Sequence, residues 1–154
     1  MRCIDAGAHI GFYTCLMASL VGKLGTVHAF EPMASHFELL RRNIDENDFQ
    51  SIVQAHQLAC SEAPGHITAS KISNMYVMGQ VGDAERVTVS AVRLDDIIGD
   101  VIDFVKLDDE RPRSKLRGIK TLKTQNLRTI PSEASFGESD PQRLKGMSRP
   151  PSAG

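Results

Sequence analysis

Apolar and polar positions along this chain follow two periods in turn, and the switching predicts strands alternating with helices. Arg2 to Asp5 is a short β-prone run that leads directly into glycine. Thr26 to Phe30, Ile52 to Leu58 and Ile102 to Leu107 are three more runs of strand length. Between the first two, Phe12 to Val21 is apolar, has helical length and ends at Gly22. A second helix is predicted after Pro32, which stops the second strand. Ser35 and Glu38 have capping-box spacing, and Phe37, Leu40 and Ile44 make one apolar face. Asn47-Asp48 closes that helix.

From His66 to Val92 the pattern changes. Ile67 to Ala69, Met75 to Met78 and Val87 to Ser90 are short β-prone runs, read as an antiparallel excursion from the main sheet. Leu94 to Ile98 is a short helical turn, with Asp95 and Asp96 suited to a helix start. The class is therefore α/β, an open parallel sheet with right-handed crossovers. Beyond Glu110 the pattern offers one helix, Ser114 to Leu122, and no strand. No internal repeat is found.

The 154 residues suit one domain, and 41% hydrophobic residues suffice for a modest core. No run approaches the length of a membrane span. The apolar stretch Cys15 to Val21 follows an acid and a glycine turn instead of a basic segment, so no signal peptide is expected. Cys3, Cys15 and Cys60 lack metal-ligand spacing and read as free thiols of a reducing compartment, the cytoplasm.

The net charge of -1 conceals a division. Residues 1–110 carry eight Lys and Arg against sixteen Asp and Glu; residues 111–154 carry ten against three. Pro, Ser and Gly make up half of residues 131–154. The chain thus divides into a domain over 1–122 and a basic, Pro/Ser/Gly-rich tail over 123–154. The tail has too little apolar area to offset its ordering entropy, and disorder is expected. Its only aromatic is Phe136, so nucleic acid is not an expected partner.

The candidate chemistry lies at the first glycine turn. Gly7 and Gly11 permit close backbone approach, and the following helix offers free N–H groups at its positive end. Glu31, at the end of the second strand, can accept both hydroxyls of a ribose. A dinucleotide fingerprint would place glycine where Asp5 stands. A carboxylate there repels a pyrophosphate and favours a cofactor with positive charge beside its ribose, which S-adenosyl-L-methionine has and NAD lacks. His9, inside the turn, suits a cofactor or substrate contact. His28 and His56 alternate within strands and read as structural.

The runs Ile4 to Tyr13, His28 to Pro32, Leu94 to Asp96 and Asp103 to Asp108 together resemble the FkbM-type methyltransferases. The resemblance covers about residues 2–122 and implies a partial Rossmann-like class I methyltransferase fold dependent on S-adenosylmethionine. It implies O-methylation of a hydroxyl on a small molecule or sugar. Asp5, Gly7, Ala8 and Gly11 would line the methionine end of the cofactor, with Phe12, Tyr13 and Thr14 beside it. Glu31 would hold the ribose, Pro32 would shape that wall, and Ser61 would lie near the adenine. For catalysis, Asp108 or Glu110 would take the hydroxyl proton, and Lys106 would orient the acceptor. Adjacent acids at Asp108 to Glu110 point different ways along a strand, so no metal site is expected.

The family pattern continues beyond Glu110 with a glycine and a second glutamate, where this chain has Arg111-Pro112-Arg113. The expectation is of a fold lacking its C-terminal strands and the family's upstream segment. Its exposed sheet edge would invite self-association. Two other functions stay open: a non-catalytic methyltransferase-like protein, and an NAD-dependent oxidoreductase.

Overall fold

The computed structural model describes residues 1–72, 75–99 and 101–107. Two four-stranded sheets organise them. The first is parallel, in the order β3-β2-β1-β8. Its members are β1 (Arg2–Ala6), β2 (Thr26–Phe30), β3 (Val53–His56) and β8 (Phe104–Leu107). Helix α1 (Phe12–Val21) joins β1 to β2, and α2 (Ala34–Glu46) joins β2 to β3. The second sheet, in the order β4-β7-β5-β6, holds β4 (Ala59–Cys60), β5 (Gly65–Ile72), β6 (Met75–Met78) and β7 (Glu85–Val92). A single turn, α3 (Leu94–Ile97), leads back to β8.

Strand alternation divides the core between the two faces of the parallel sheet. Cys3, Val27, Ala29 and Val53 pack against Met17 and Ala18 of α1 and Leu40 and Ile44 of α2. Ile4, Ala6, Phe30, Val105 and Leu107 form the opposite face, covered by Leu94 and Ile102. Burial on both faces explains why these strands read as continuous apolar runs. Met33, Ala59, Ala69, Val89 and Ala91 make a third cluster on the second sheet.

Two elements depart from the sequence reading. The predicted strand Ile52 to Leu58 is shorter than expected: Val53–His56 pairs with β2, and an unpredicted two-residue strand beyond it, Ala59–Cys60, pairs with β7 in the other sheet. The capping box is not used. Helix α2 starts at Ala34 with Met33 as its cap residue and no side-chain cap; Ser35 and Glu38 are exposed. Instead the cap residue lies two positions upstream of Ser35, and the Met33 N–H donates to Glu31 Oε1, the acid just after β2, at 2.9 Å. The antiparallel excursion is present, with β5 and β7 each eight residues long. Among the described residues no helix is long and apolar enough to cross a membrane. The helix predicted over Ser114 to Leu122, the tail boundary and the expected lack of C-terminal strands concern residues outside the described ones.

Candidate active site

The turn between β1 and α1 is built on backbone that only certain residues tolerate. Gly7 and Gly11 have φ of 80° and 94°, and His9 lies in the left-handed region at 52°. Gly11 has a second constraint, since a Cβ there would stand 2.6 Å from Leu40 Cδ1 of α2. The turn is tied to β2 throughout. Gly7 and Ala8 both donate N–H bonds to the Phe30 carbonyl, at 3.0 and 2.9 Å. The His9 N–H donates to Glu31 Oε2 at 2.9 Å. Asn43 of α2 donates its side-chain amide to the Ile10 carbonyl at 2.7 Å.

Glu31 is buried, and its two oxygens are divided between the turn and the start of α2. His36, on the first turn of α2, places Nδ1 3.6 Å from Glu31 Oε1. The His36 ring packs against His9 at 4.0 Å between centroids and meets Tyr76 of the second sheet edge-on at 5.6 Å. Sequence reading found Glu31 and His9 but missed His36 and Tyr76. The available signal for His36 was its place in the first turn of the helix that starts just after Glu31. Tyr76 had none, because β6 approaches only through the tertiary fold.

A second cluster lies beneath the turn. Asp5 has no exposed surface. Thr14 donates its hydroxyl to Asp5 Oδ2 at 2.7 Å, and Lys106 Nζ lies 3.1 Å from Oδ1. The contact at Oδ1 is an ion pair, and the same ammonium donates to the Gly7 carbonyl, also at 3.1 Å. Lys106 sits 5.0 Å from the centre of the Tyr13 ring, within cation–π range.

This placement corrects the reading of Asp5. Its carboxylate is sealed beneath the turn against Lys106 and presents no charge to a ligand, so it neither repels a pyrophosphate nor attracts a sulfonium directly.

The remaining candidates are dispersed. Ala8 is buried in the core between the sheet and the two helices. Phe12 is 70% exposed at the head of α1, edge-on to Tyr13 at 5.2 Å. Pro32 is half-buried between Glu31 and Met33. Ser61 belongs to the second sheet's loop, where its hydroxyl accepts from the Ala63 N–H at 3.5 Å. Asp108 and Glu110 lie outside the described residues. Among the described residues no group of three or more His, Cys, Asp or Glu is placed to hold a metal ion.

Two of the cysteine thiols are shifted toward the protonated form. Burial, reinforced by Asp103, pushes Cys3 up to about 11, and burial also raises Cys15. Neither suits a nucleophile at neutral pH. His28 and His56 lie side by side on β2 and β3, with Nδ1 and Nε2 3.5 Å apart and the His56 ring stacked on Phe30 at 4.6 Å.

What the arrangement offers is an open backbone turn at the carboxyl ends of two parallel strands. A carboxylate stands on one side of it and a helix N-terminus on the other, the common position for a nucleotide-type ligand in such sheets. A family model described as Methyltransferase FkbM domain matches residues 5–110. No curated protein and no solved structure matches the chain.

Proposed function

This chain belongs to the FkbM methyltransferase family, and we propose that it binds S-adenosylmethionine at the β1–α1 turn and methylates a hydroxyl of a small molecule or sugar. The observation that carries this reading is Glu31, a buried carboxylate at the end of β2 reaching the turn through the His9 N–H at 2.9 Å. Family membership, and not the charge of Asp5, favours S-adenosylmethionine over NAD.

The residues present suit that cofactor. A carboxylate has about four acceptor positions, and two on Glu31 remain for ribose hydroxyls beyond the His9 and Met33 N–H groups. Gly7, His9 and Gly11 form the wall for the methionine end, and the first-turn N–H groups of Phe12, Tyr13 and Thr14 have no partner within their own helix. Pro32 would limit the ribose side, and Ser61 is the proposed contact on the adenine side.

Bound S-adenosylmethionine supplies a methyl group on a sulfonium, a leaving group that needs little assistance. The protein's contribution is then mainly to bind, orient and exclude water. The acceptor hydroxyl must lose a proton, and the proposed acceptors are Asp108 and Glu110, which follow β8 in sequence. Exposed Phe12 at the mouth of the turn is the surface on which an acceptor would rest.

Calorimetric titration of the full chain with S-adenosylhomocysteine and with NAD tests the reading. Heat with the first and none with the second is expected. Saturable binding of NAD alone would overturn it. Transfer of labelled methyl to a panel of hydroxyl acceptors then tests catalysis, and a chain that binds cofactor but methylates none of them would be a binding protein of the family.

A further inference from the structure

Lys106, which the sequence suggests could orient the acceptor, is held in the interior. Its side chain is 5% exposed, and it reaches from β8 back under the turn, toward Asp5, Gly7 and Tyr13. Burying an ammonium and a carboxylate costs several kcal/mol per ion before their attraction is counted. A leucine would pack β8 without that cost, so the pair requires a further explanation.

The geometry of the Gly7–Ala8 peptide provides one. The N–H of this peptide donates to the Phe30 carbonyl at 2.9 Å, from the β2 side. Its carbonyl accepts from Lys106 at 3.1 Å, from the β8 side. One peptide plane is thus held at opposite ends by the two strands flanking β1. Gly7, at φ 80°, has no side chain of its own to resist rotation of that plane. Asp5 is the direct register partner of Lys106 and fixes the ammonium at the required height.

We propose that Lys106 is a positioning residue of the cofactor turn: paired with Asp5, it tethers the Gly7 carbonyl and fixes the backbone that receives the methionine end of S-adenosylmethionine. The inference rests on the cofactor reading above, but the tether itself is measurable without ligand.

The test uses the full chain carrying Asp5→Asn together with Lys106→Met, which removes the tether without leaving a buried carboxylate unpaired. Amide hydrogen exchange in the ligand-free protein and calorimetric affinity for S-adenosylhomocysteine are the readouts. Exchange at Ala8 and His9 is expected to rise about tenfold, and affinity to fall about tenfold, the scale of one charge-assisted hydrogen bond. Exchange in β5 and β7 is expected to stay unchanged. A folded double variant with wild-type exchange at the turn, or with faster exchange spread evenly over both sheets, overturns the proposal.

Should that variant not fold, Lys106→Arg keeps the charge opposite Asp5 but replaces a point ammonium by a planar fork. A local rise in exchange at Ala8 is expected there too, and its absence overturns the tether. Absence of S-adenosylhomocysteine binding by the wild type would sink the cofactor reading, while exchange at Ala8 would still decide the tether.

Discussion

Asp5 of β1 and Lys106 of β8 are register partners in the parallel sheet, and their charged atoms meet 3.1 Å apart in the interior. The two residues are 101 positions apart in sequence, so the pair closes β8 onto β1 and can form only when both strands are in place. Thr14 extends the connection into α1.

The stability of this arrangement is asymmetric. Lys106→Met alone leaves the Asp5 carboxylate buried without its counter-charge, and the expected loss is about 3–5 kcal/mol. Thr14→Val keeps the shape but removes the hydroxyl that donates to Asp5, for an expected loss of about 1.5–3 kcal/mol. Urea unfolding of the two variants checks both values. A Thr14→Val variant as stable as wild type would show that Asp5 does not depend on that bond.

Glu31 joins structure and ligand binding, so its substitutions should separate the two. Glu31→Gln retains one acceptor oxygen but must forfeit either the His9 or the Met33 N–H bond. An expected cost of about 1–3 kcal/mol follows in stability, with weaker S-adenosylhomocysteine binding in a folded sample. Glu31→Ala should weaken both further. Thermal unfolding and calorimetry measured on the same preparations check this, and undiminished affinity in either variant would remove Glu31 from the ribose site.

The sequence announced the parallel sheet because strands buried on both faces are apolar throughout, and the helices because Leu40 and Ile44 recur on one face. It announced Gly7, Gly11 and Glu31 because special backbone and a strand-end acid are local signals. The short strand Ala59–Cys60 was not legible, since which sheet Ala59 joins depends on pairing with Ala91, far along the chain. The failed capping box has a similar origin. Ser35 and Glu38 carry the right spacing, but Glu31 already takes the N–H at the helix entry. The interior role of Asp5 was hidden for the same reason, because an argument from its position in the glycine turn cannot see that Lys106 lies opposite.

Gly11 is constrained twice, and the two constraints can be separated. Gly11→Ala places a Cβ at φ 94° and against Leu40 Cδ1, and an expected loss of at least about 1–2 kcal/mol follows from the backbone alone. Leu40→Ala in the same chain relieves the contact but leaves the backbone cost. Its own cavity should cost about 2–5 kcal/mol. In a double-mutant cycle the Gly11→Ala penalty should shrink in the Leu40→Ala background without vanishing. A penalty that disappears there would mean that the contact, and not the backbone, requires glycine.

The histidine pair on β2 and β3 predicts how stability varies with acid. Burial, followed by the neighbouring His28, lowers His56 from its usual value of 6.5. The unfolded chain therefore binds a proton at His56 at higher pH than the folded chain does. Stability from this group is complete above about 6.5 and is lost as pH falls from there through the lowered folded value. His56→Gln removes the titrating group while leaving a side chain of similar polarity beside His28. Urea unfolding of wild type and variant at a series of pH values from about 7.5 down to about 5 checks the sign. The wild type should lose stability faster than the variant below about 6.5, and parallel curves would show that protonation of His56 is not coupled to folding.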